Sequence, residues 1–321
     1  MRLGKQRYES KYLAIEHFNT NKGWSISWMC HQLGITRSAF YKWKHRIVPE
    51  QEQLNSEIAE LIKEYDERFS HILGYRRMTD WINHFNHTNY SRKRIHRIMK
   101  KLDIHAVIRK KKKKYKTGKP EESAENKLAR NFYTTAPNKK WVTDVTEFKI
   151  PNSHKKLYLS AILDLYDRYP IAFVISGRND NRLVFKTFDK AIEKNPTAKP
   201  IFHSDRGFQY TNKSFQKKLK DTDMIQSMSR VGHCIDNGPI EGFWGIIKSE
   251  MYQMYDISDE TSLRYAIKDY IRFYSHERPQ SRYDCKTPWE VRNAALTSKH
   301  PLSYPIAKNN KIEQYKSKWS A

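Results

Sequence analysis

Cysteine is scarce: Cys30, Cys234 and Cys285 are the three among 321 residues. None belongs to a C-x-x-C pair, which excludes a disulfide framework or a zinc ribbon and suits a reducing compartment. Thirteen histidines are present, yet no His-x₃₋₅-His segment has a C-x-x-C partner, so no zinc module is expected. No run of ~18 apolar residues occurs, which argues against a membrane-spanning helix. Met1-Arg2-Leu3-Gly4-Lys5 leads into charged sequence rather than the apolar core of a secretory signal, and a cytoplasmic location is expected. Internal repeats are also missing.

Acidic residues are outnumbered, with 35 Asp+Glu against 60 Lys+Arg, for a net charge of +25. Solubility needs far less, so the excess points to a polyanionic partner, and nucleic acid is the commonest. A membrane surface fits less well, because no basic helix carries a strong apolar face. Residues 1–130 hold 29 Lys+Arg against 14 Asp+Glu, so the excess is concentrated early. The length suggests two or three domains, with enough apolar sequence to bury a core unaided.

Five segments are expected. In residues 1–48, Ile26, Met29, Cys30 and Leu33 fall at helical spacing, Gly34 breaks the run, and Thr36 can cap a helix from Arg37 to Arg46. Helix, glycine turn, helix is the helix-turn-helix pattern, whose second helix enters the major groove and here carries Arg37 and Lys42. Residues 49–108 form a second helical DNA-binding unit. Ile58, Leu61, Ile62 and Tyr65 share one face, and Ser91 caps a helix whose stripe is Ile95, Ile98, Met99 and Leu102. Arg94 and Arg97 lie on that basic helix as candidate DNA contacts. The run Arg109–Lys116 marks a basic linker over 109–134, poorly ordered by self-repulsion and able to bind phosphates through counterion release.

From Lys140 the pattern turns to period two. Trp141–Ile150, Leu157–Leu165 and Ile171–Ser176 read as a strand meander, followed by a helix over Asn181–Glu193. Pro200–His203 and Ile225–Met228 read as short strands, with helices at Asn212–Leu219, Gly238–Tyr252 and Ser262–Tyr274. The order βββαβαβα is that of an α/β RNase H-like domain, a mixed sheet flanked by helices, over 135–292, and 293–321 is expected to be a C-terminal tail.

Three carboxylates stand at telling places. Asp144 lies among apolar neighbours mid-strand, where an acid is costly unless paired or metal-bound. Asp205 follows the apolar Ile201-Phe202, and Gly207 permits a tight turn behind it. Glu241 sits in the first turn of a helix that Pro239 can open and Asp236 or Asn237 can cap. Oxygen-only ligands suit Mg²⁺ (or Mn²⁺), and two such ions can activate an attacking oxygen and stabilise a leaving one in phosphodiester chemistry. Capping and ion pairing are the ordinary explanation for any single acid of this kind. Without metal the three charges repel, so metal affinity is expected to rise with pH.

The pieces Trp141-x-x-Asp144-x-Thr146, His203-Ser204-Asp205-x-Gly207-x-Gln209-Tyr210 and Ser229-x-x-Gly232-x-x-x-Asp236-Asn237-x-x-x-Glu241-x-Phe243 follow one another. Tyr274-x-x-x-Arg278-Pro279 and Thr287-Pro288 come after, and 35 residues separate Asp205 from Glu241. In these features the chain resembles the transposases of the insertion-sequence-three family, whose catalytic core is close to retroviral integrases. Gly74-Tyr75-Arg76-Arg77 and Arg94-Ile95-x-Arg97-Ile98-Met99 extend the resemblance upstream. Gly238, Gly242 and Gln280 depart from the family's usual Ala, Ser and His, and none of them is a metal ligand.

The resemblance implies a DNA transposase with an Asp144, Asp205, Glu241 triad, two metal ions, and DNA contacts from Lys248 and Asn237. One ion would activate water to free a 3′-hydroxyl at a transposon end, and that hydroxyl would attack a second phosphodiester. The implied partners are double-stranded DNA with terminal inverted repeats, target DNA, further copies of the chain, and an upstream helix-turn-helix protein. The setting would be bacterial cytoplasm, at the nucleoid. Asp164, Asp167 and Glu250 are alternative acids outside the family's pattern, and His203 could orient Asp205 or simply pack. A tyrosine recombinase built on Tyr274, His276 and Arg278 fits poorly by spacing. A DNA-binding regulator with a decayed core is disfavoured by the intact acids, and a general RNase H-like nuclease would not need the helical units.

Overall fold

A computed structural model describes residues 8–107, 126–230 and 234–306. The expected basic run Arg109–Lys116 lies outside them. The chain divides into two compact units, one built from residues up to Thr79 with Tyr90–His105, the other from Asp80–Asn89 with the remainder after Ala106.

The first unit is helical: α1 (Glu9–Lys22), α2 (Ile26–Gln32), α3 (Arg37–Lys44), α4 (Glu50–Arg68), the start of α5 (Tyr75–Phe85), and α6 (Arg92–Leu102). Ser25 and Thr36 cap α2 and α3 by accepting from the amides of Trp28 and Ala39, each cap being worth about 0.5–2 kcal/mol. Between them Gly34 adopts φ 62°, a left-handed conformation that glycine enters without steric cost. Tyr12, Ile15, Met29, Cys30 and Phe40 close a small core behind this turn. The helix-turn-helix shape is therefore present, although α3 ends two residues before the expected Arg46.

Ser91 caps α6 through the amide of Arg94, and Ile95, Ile98 and Met99 turn inward as the spacing requires. Arg97, Arg37 and Lys42 are exposed. Arg94 is half-buried instead, and its Nε donates to Asn55 Oδ1 on α4 at 3.0 Å, so part of its hydrogen-bonding capacity goes to joining two helices.

The second unit is a five-stranded mixed sheet with helices against it. Its elements are β1 (Lys140–Lys149), β2 (Lys156–Asp164), β3 (Pro170–Ser176), α7 (Asn181–Lys194), β4 (Ile201–Ser204), α8 (Phe208–Thr211), α9 (Lys213–Asp221), β5 (Ile225–Met228), α10 (Gly238–Met254), α11 (Glu260–His276) and α12 (Pro288–Thr297). The spatial order is β3-β2-β1-β4-β5. The first three strands form an antiparallel meander, while β4 and β5 join parallel to β1. This is the RNase H-like arrangement. Phe188, Phe202 and Phe215 pack with centroids 5.5–5.8 Å apart on one face of the sheet, and they tie α7, β4 and α9 together. Among the described residues no helix is long and apolar enough to cross a membrane.

Two segments expected to be peripheral are packed. Leu128 is buried, with its amide donating to Ser227 Oγ at 2.9 Å, inside the expected linker. Beyond residue 292, α12 continues to Thr297, and Tyr304 is buried against Tyr166 and Tyr283. Neither has a run of hydrophobic periodicity long enough to be read in advance.

Asp164 and Asp167 are fully buried around Arg292, whose Nη1 donates to them at 3.1 and 2.9 Å, while its Nη2 reaches Asn138 and Asn195. These two acids are a structural knot joining α12 to the end of β2. Removing the cation would leave two buried carboxyl groups without their shared partner, a loss of about 3–5 kcal/mol for a broken buried pair. Arg292→Met is therefore expected to lower the unfolding free energy in urea by that order, and a loss within about 0.5 kcal/mol, as at an ordinary surface site, would contradict this account.

Candidate active site

β1 and β4 run parallel with Val142 opposite His203. Asp144 lies two residues further along β1, Asp205 follows the end of β4, and the two are close enough for Asp205 to raise the pKa of Asp144. Asp205 Oδ1 accepts from the Gly207 amide at 2.9 Å, which turns the carboxylate back over the end of β4. Gly207 has φ −55°, an ordinary value, so the expected need for conformational freedom is not what selects glycine. Space selects it: a Cβ there would lie 3.0 Å from Asp205 Oδ1 and 2.9 Å from Gln209 Oε1.

Glu241 arrives from the first turn of α10, where Pro239 fits the missing amide partner. The expected side-chain cap is absent. Asn237 holds the cap position but donates its Nδ2 to the Thr143 carbonyl of β1 at 3.0 Å. Asp236 accepts from Arg130 Nε at 2.5 Å, from the Arg230 amide and Nε at 3.0 Å each, and from Asn126 Nδ2 at 2.9 Å. Asp236 thus ties two stretches of chain, 126–130 and Arg230, to the segment that leads into α10. Burial alone would raise its pKa, but the hydrogen bonds from Arg230 and Arg130 outweigh this and hold it at about 2.

On α10, Asn237, Glu241, Trp244 and Lys248 follow at i, i+4, i+7 and i+11, one face of a helix. Trp244 Nε1 donates to Asp144 Oδ2 at 2.9 Å, and Lys248 Nζ donates to Thr146 Oγ1 at 2.6 Å. The stripe that carries Glu241 is therefore laced to β1 on both sides of Asp144. Lys248 also stands 5.4 Å from the Phe148 ring centre, and with Glu147, Lys149, Pro151 and Tyr252 it lines an open groove of about 380 Å³.

The three acids share one electrostatic field. Asp144 is pushed up to about 7, first by burial and then by Asp205, with Glu241 adding to the effect. The Trp244 and Val145 N–H groups oppose that rise. Burial raises Asp205 against the pull of the Gly207 amide. Desolvation, then Asp205, raises Glu241 at the rim. Among the described residues no three His, Cys, Asp or Glu side chains are drawn close enough to cage an ion.

His203 does not reach for Asp205. Its two ring nitrogens meet Ser227 Oγ at 2.9 Å and Ser229 Oγ at 3.2 Å, and burial drives its pKa to about 4, which keeps it neutral inside the sheet. Glu250 is also structural: it accepts from Arg278 Nε and Nη2 at 3.0 and 2.8 Å and from the Tyr270 hydroxyl at 2.8 Å. Trp244 was not anticipated as a site residue, although its place three residues after Glu241 puts it on the same helix face. The Arg130 and Arg230 contacts to Asp236 had no local signal.

An integrase core domain model matches residues 134–234, and a second integrase core model matches 222–288. An HTH-like domain model matches 53–112, the region of α4–α6 rather than α1–α3. The IS150 transposase InsK of Escherichia coli (strain K12) is 36% identical over 262 residues, covering 81% of this chain and 90% of the relative. InsF, the transposase of insertion sequence IS3A from the same organism, is 27% identical over 83% of this chain and 94% of its own length. The HTLV-2 integrase catalytic core domain in complex with magnesium superposes with a TM-score of 0.38 at 22% identity, over 49% of this chain and 97% of that one. The protein is a polynucleotidyl transferase of the integrase-core type. The chain belongs to the insertion-sequence-three (IS3) family of transposases.

The Asp236 knot gives a pH signature. Its folded pKa of about 2 lies below the unfolded value of about 3.9. Its contribution to stability is therefore present above pH ~4 and lost as pH falls toward 2. Asp236→Asn is expected to be less stable than wild type at pH 7, with the gap closing between about pH 4 and 2 in urea titrations. A gap of constant size over that range would show that Asp236 does not carry the knot.

Proposed function

We propose that Asp144, Asp205 and Glu241 form an Asp-Asp-Glu triad that holds divalent metal for cleavage of transposon ends and strand transfer. The observation that carries this reading is the crowding of three ionisable carboxylates, each with a raised pKa, from the middle of β1, the end of β4 and the start of α10. Such crowding is unfavourable unless a cation enters. The donor set is oxygen only, which fits Mg²⁺ or Mn²⁺, and two ions would suit three acids flanking a phosphodiester. When bound, the metal would polarise the phosphoryl group and lower the pKa of the attacking oxygen.

The chain's own residues do the rest. Asp144 presents its carboxylate from β1 and Asp205 from just past the end of the neighbouring parallel strand β4, and Glu241 closes the site from the helix. In the first reaction water attacks the phosphorus at the transposon end and the bond to the 3′-oxygen breaks, leaving a 3′-hydroxyl. In the second, that hydroxyl attacks a phosphodiester of another strand, so one bond forms as one breaks and no external energy is required. Lys248 borders the groove along β1, where a displaced or neighbouring phosphate would pass. Exposed Arg37 and Lys42 on α3, and Arg97 on α6, are suited to the terminal inverted repeats, while Arg94 and Asn237 are committed in part to internal hydrogen bonds. Two ends must be processed together, so a homo-oligomer is expected, with an upstream helix-turn-helix protein as a further partner and the nucleoid as its setting.

Asp205→Asn, incubated with labelled end DNA and Mg²⁺, is expected to lose cleavage and joining by at least about 10³-fold while gel-shift affinity stays within about twofold. EDTA should abolish activity of the wild type in the same assay. Retained cleavage in the variant would refute the triad. For the DNA-binding role of α3, the double change Arg37→Ala with Lys42→Ala should weaken end binding and flatten the salt slope by about two. An unchanged slope would remove these residues from the phosphate contacts.

A further inference from the structure

The stripe on α10 assigns a task to Trp244 beyond packing. Its indole is 6% exposed and its one polar atom, Nε1, donates to Asp144 Oδ2 at 2.9 Å. Indole is a donor only, and a buried N–H without a partner is unfavourable, so this bond fixes the ring and the carboxylate against each other. Asp144 also lies between two other fastenings of the same stripe: Asn237 to the Thr143 carbonyl, and Lys248 to the Thr146 hydroxyl. Backbone and side chain are thereby held from one helix, the helix that delivers Glu241.

We propose that Trp244 is a positioning residue that sets the orientation of the Asp144 carboxylate, so that one oxygen accepts the indole N–H and the other is turned toward Asp205 and Glu241. The inference rests on the reading of Asp144 as a metal ligand. A carboxylate oxygen has two lone pairs, so Oδ2 can accept from the indole without being lost as a ligand. A partner of this kind removes the side-chain rotation that an ion would otherwise have to arrest. Hydrogen bonds that orient a ligand in this way typically contribute about 10–100-fold to metal affinity or activity.

The test uses the full-length chain and Mn²⁺ alone as the probe, titrated by calorimetry without DNA, beside cleavage assays over a Mn²⁺ series. Trp244→Phe keeps the ring and deletes the donor. It is expected to fold with wild-type circular dichroism, to bind Mn²⁺ about 10–100-fold more weakly, and to need correspondingly more Mn²⁺ for half-maximal cleavage, with KM for end DNA unchanged. Should Trp244→Phe fail to fold, 3-benzothienylalanine at position 244, an isostere with sulfur in place of N–H, carries the same expectation. Mn²⁺ affinity equal to or tighter than wild type, in a folded variant, overturns the role of Trp244 and leaves the triad standing. Absence of Mn²⁺ binding to Asp144 in the wild type itself, seen as titrations identical to those of Asp144→Asn, overturns the triad and this inference with it.

Discussion

Helix α10 is fastened to β1 along a single face, and the placing of the acids depends on that fastening. Asn237, Trp244 and Lys248 bond to Thr143, Asp144 and Thr146, and Glu241 rides between them. Asp205 comes instead from the sheet side, just past the end of β4, which pairs parallel with β1, whereas α10 both delivers Glu241 and holds the Asp144 carboxylate. A helix joined to a sheet by apolar packing alone could slide by a fraction of a turn. Directional hydrogen bonds to three positions within one short stretch of a strand resist that slide.

Charge in this unit is sorted into two kinds. Buried acids outside the site are neutralised by arginine: Asp164 and Asp167 by Arg292, Glu250 by Arg278, Asp236 by Arg130 and Arg230. Among the described residues no lysine or arginine pairs with Asp144, Asp205 or Glu241, and two of the three lie partly buried. The surrounding arginine-acid knots resist collapse of the scaffold, while the site itself keeps its mutual repulsion. An assembly that cancels most buried charge and leaves one concentrated negative point is arranged to receive a cation.

Much of the fold was legible because its signals are local. Alternating apolar residues mark β1–β3, Ser91 and Thr36 mark helix starts, and the spacing of Ile95, Ile98 and Met99 marks the inner face of α6. The three acids were legible one by one, Asp144 within a strand, Asp205 after one and Glu241 in the first turn of a helix, and the resemblance to a known family joined them into a set. What escaped is non-local. Asp236 looked like a helix cap, because nothing in its neighbourhood reveals that Arg130, over a hundred residues earlier, would take its carboxylate. Nothing near Arg94 in the sequence signals Asn55, 39 residues earlier, as the partner of its Nε. Gly207 was assigned to a turn conformation, whereas the close approach of the Asp205 carboxylate is what excludes a side chain. In each case the deciding partner is set by tertiary packing.

The most direct measurement of the central claim is anomalous diffraction from crystals of the wild-type protein soaked in Mn²⁺, with bound end DNA if the crystals allow it. The account predicts anomalous peaks ligated by Asp144, Asp205 and Glu241, as a pair about 3.5–4 Å apart when DNA is present. Catalytically competent crystals with peaks bound elsewhere, or with no peak among these three acids, would contradict it.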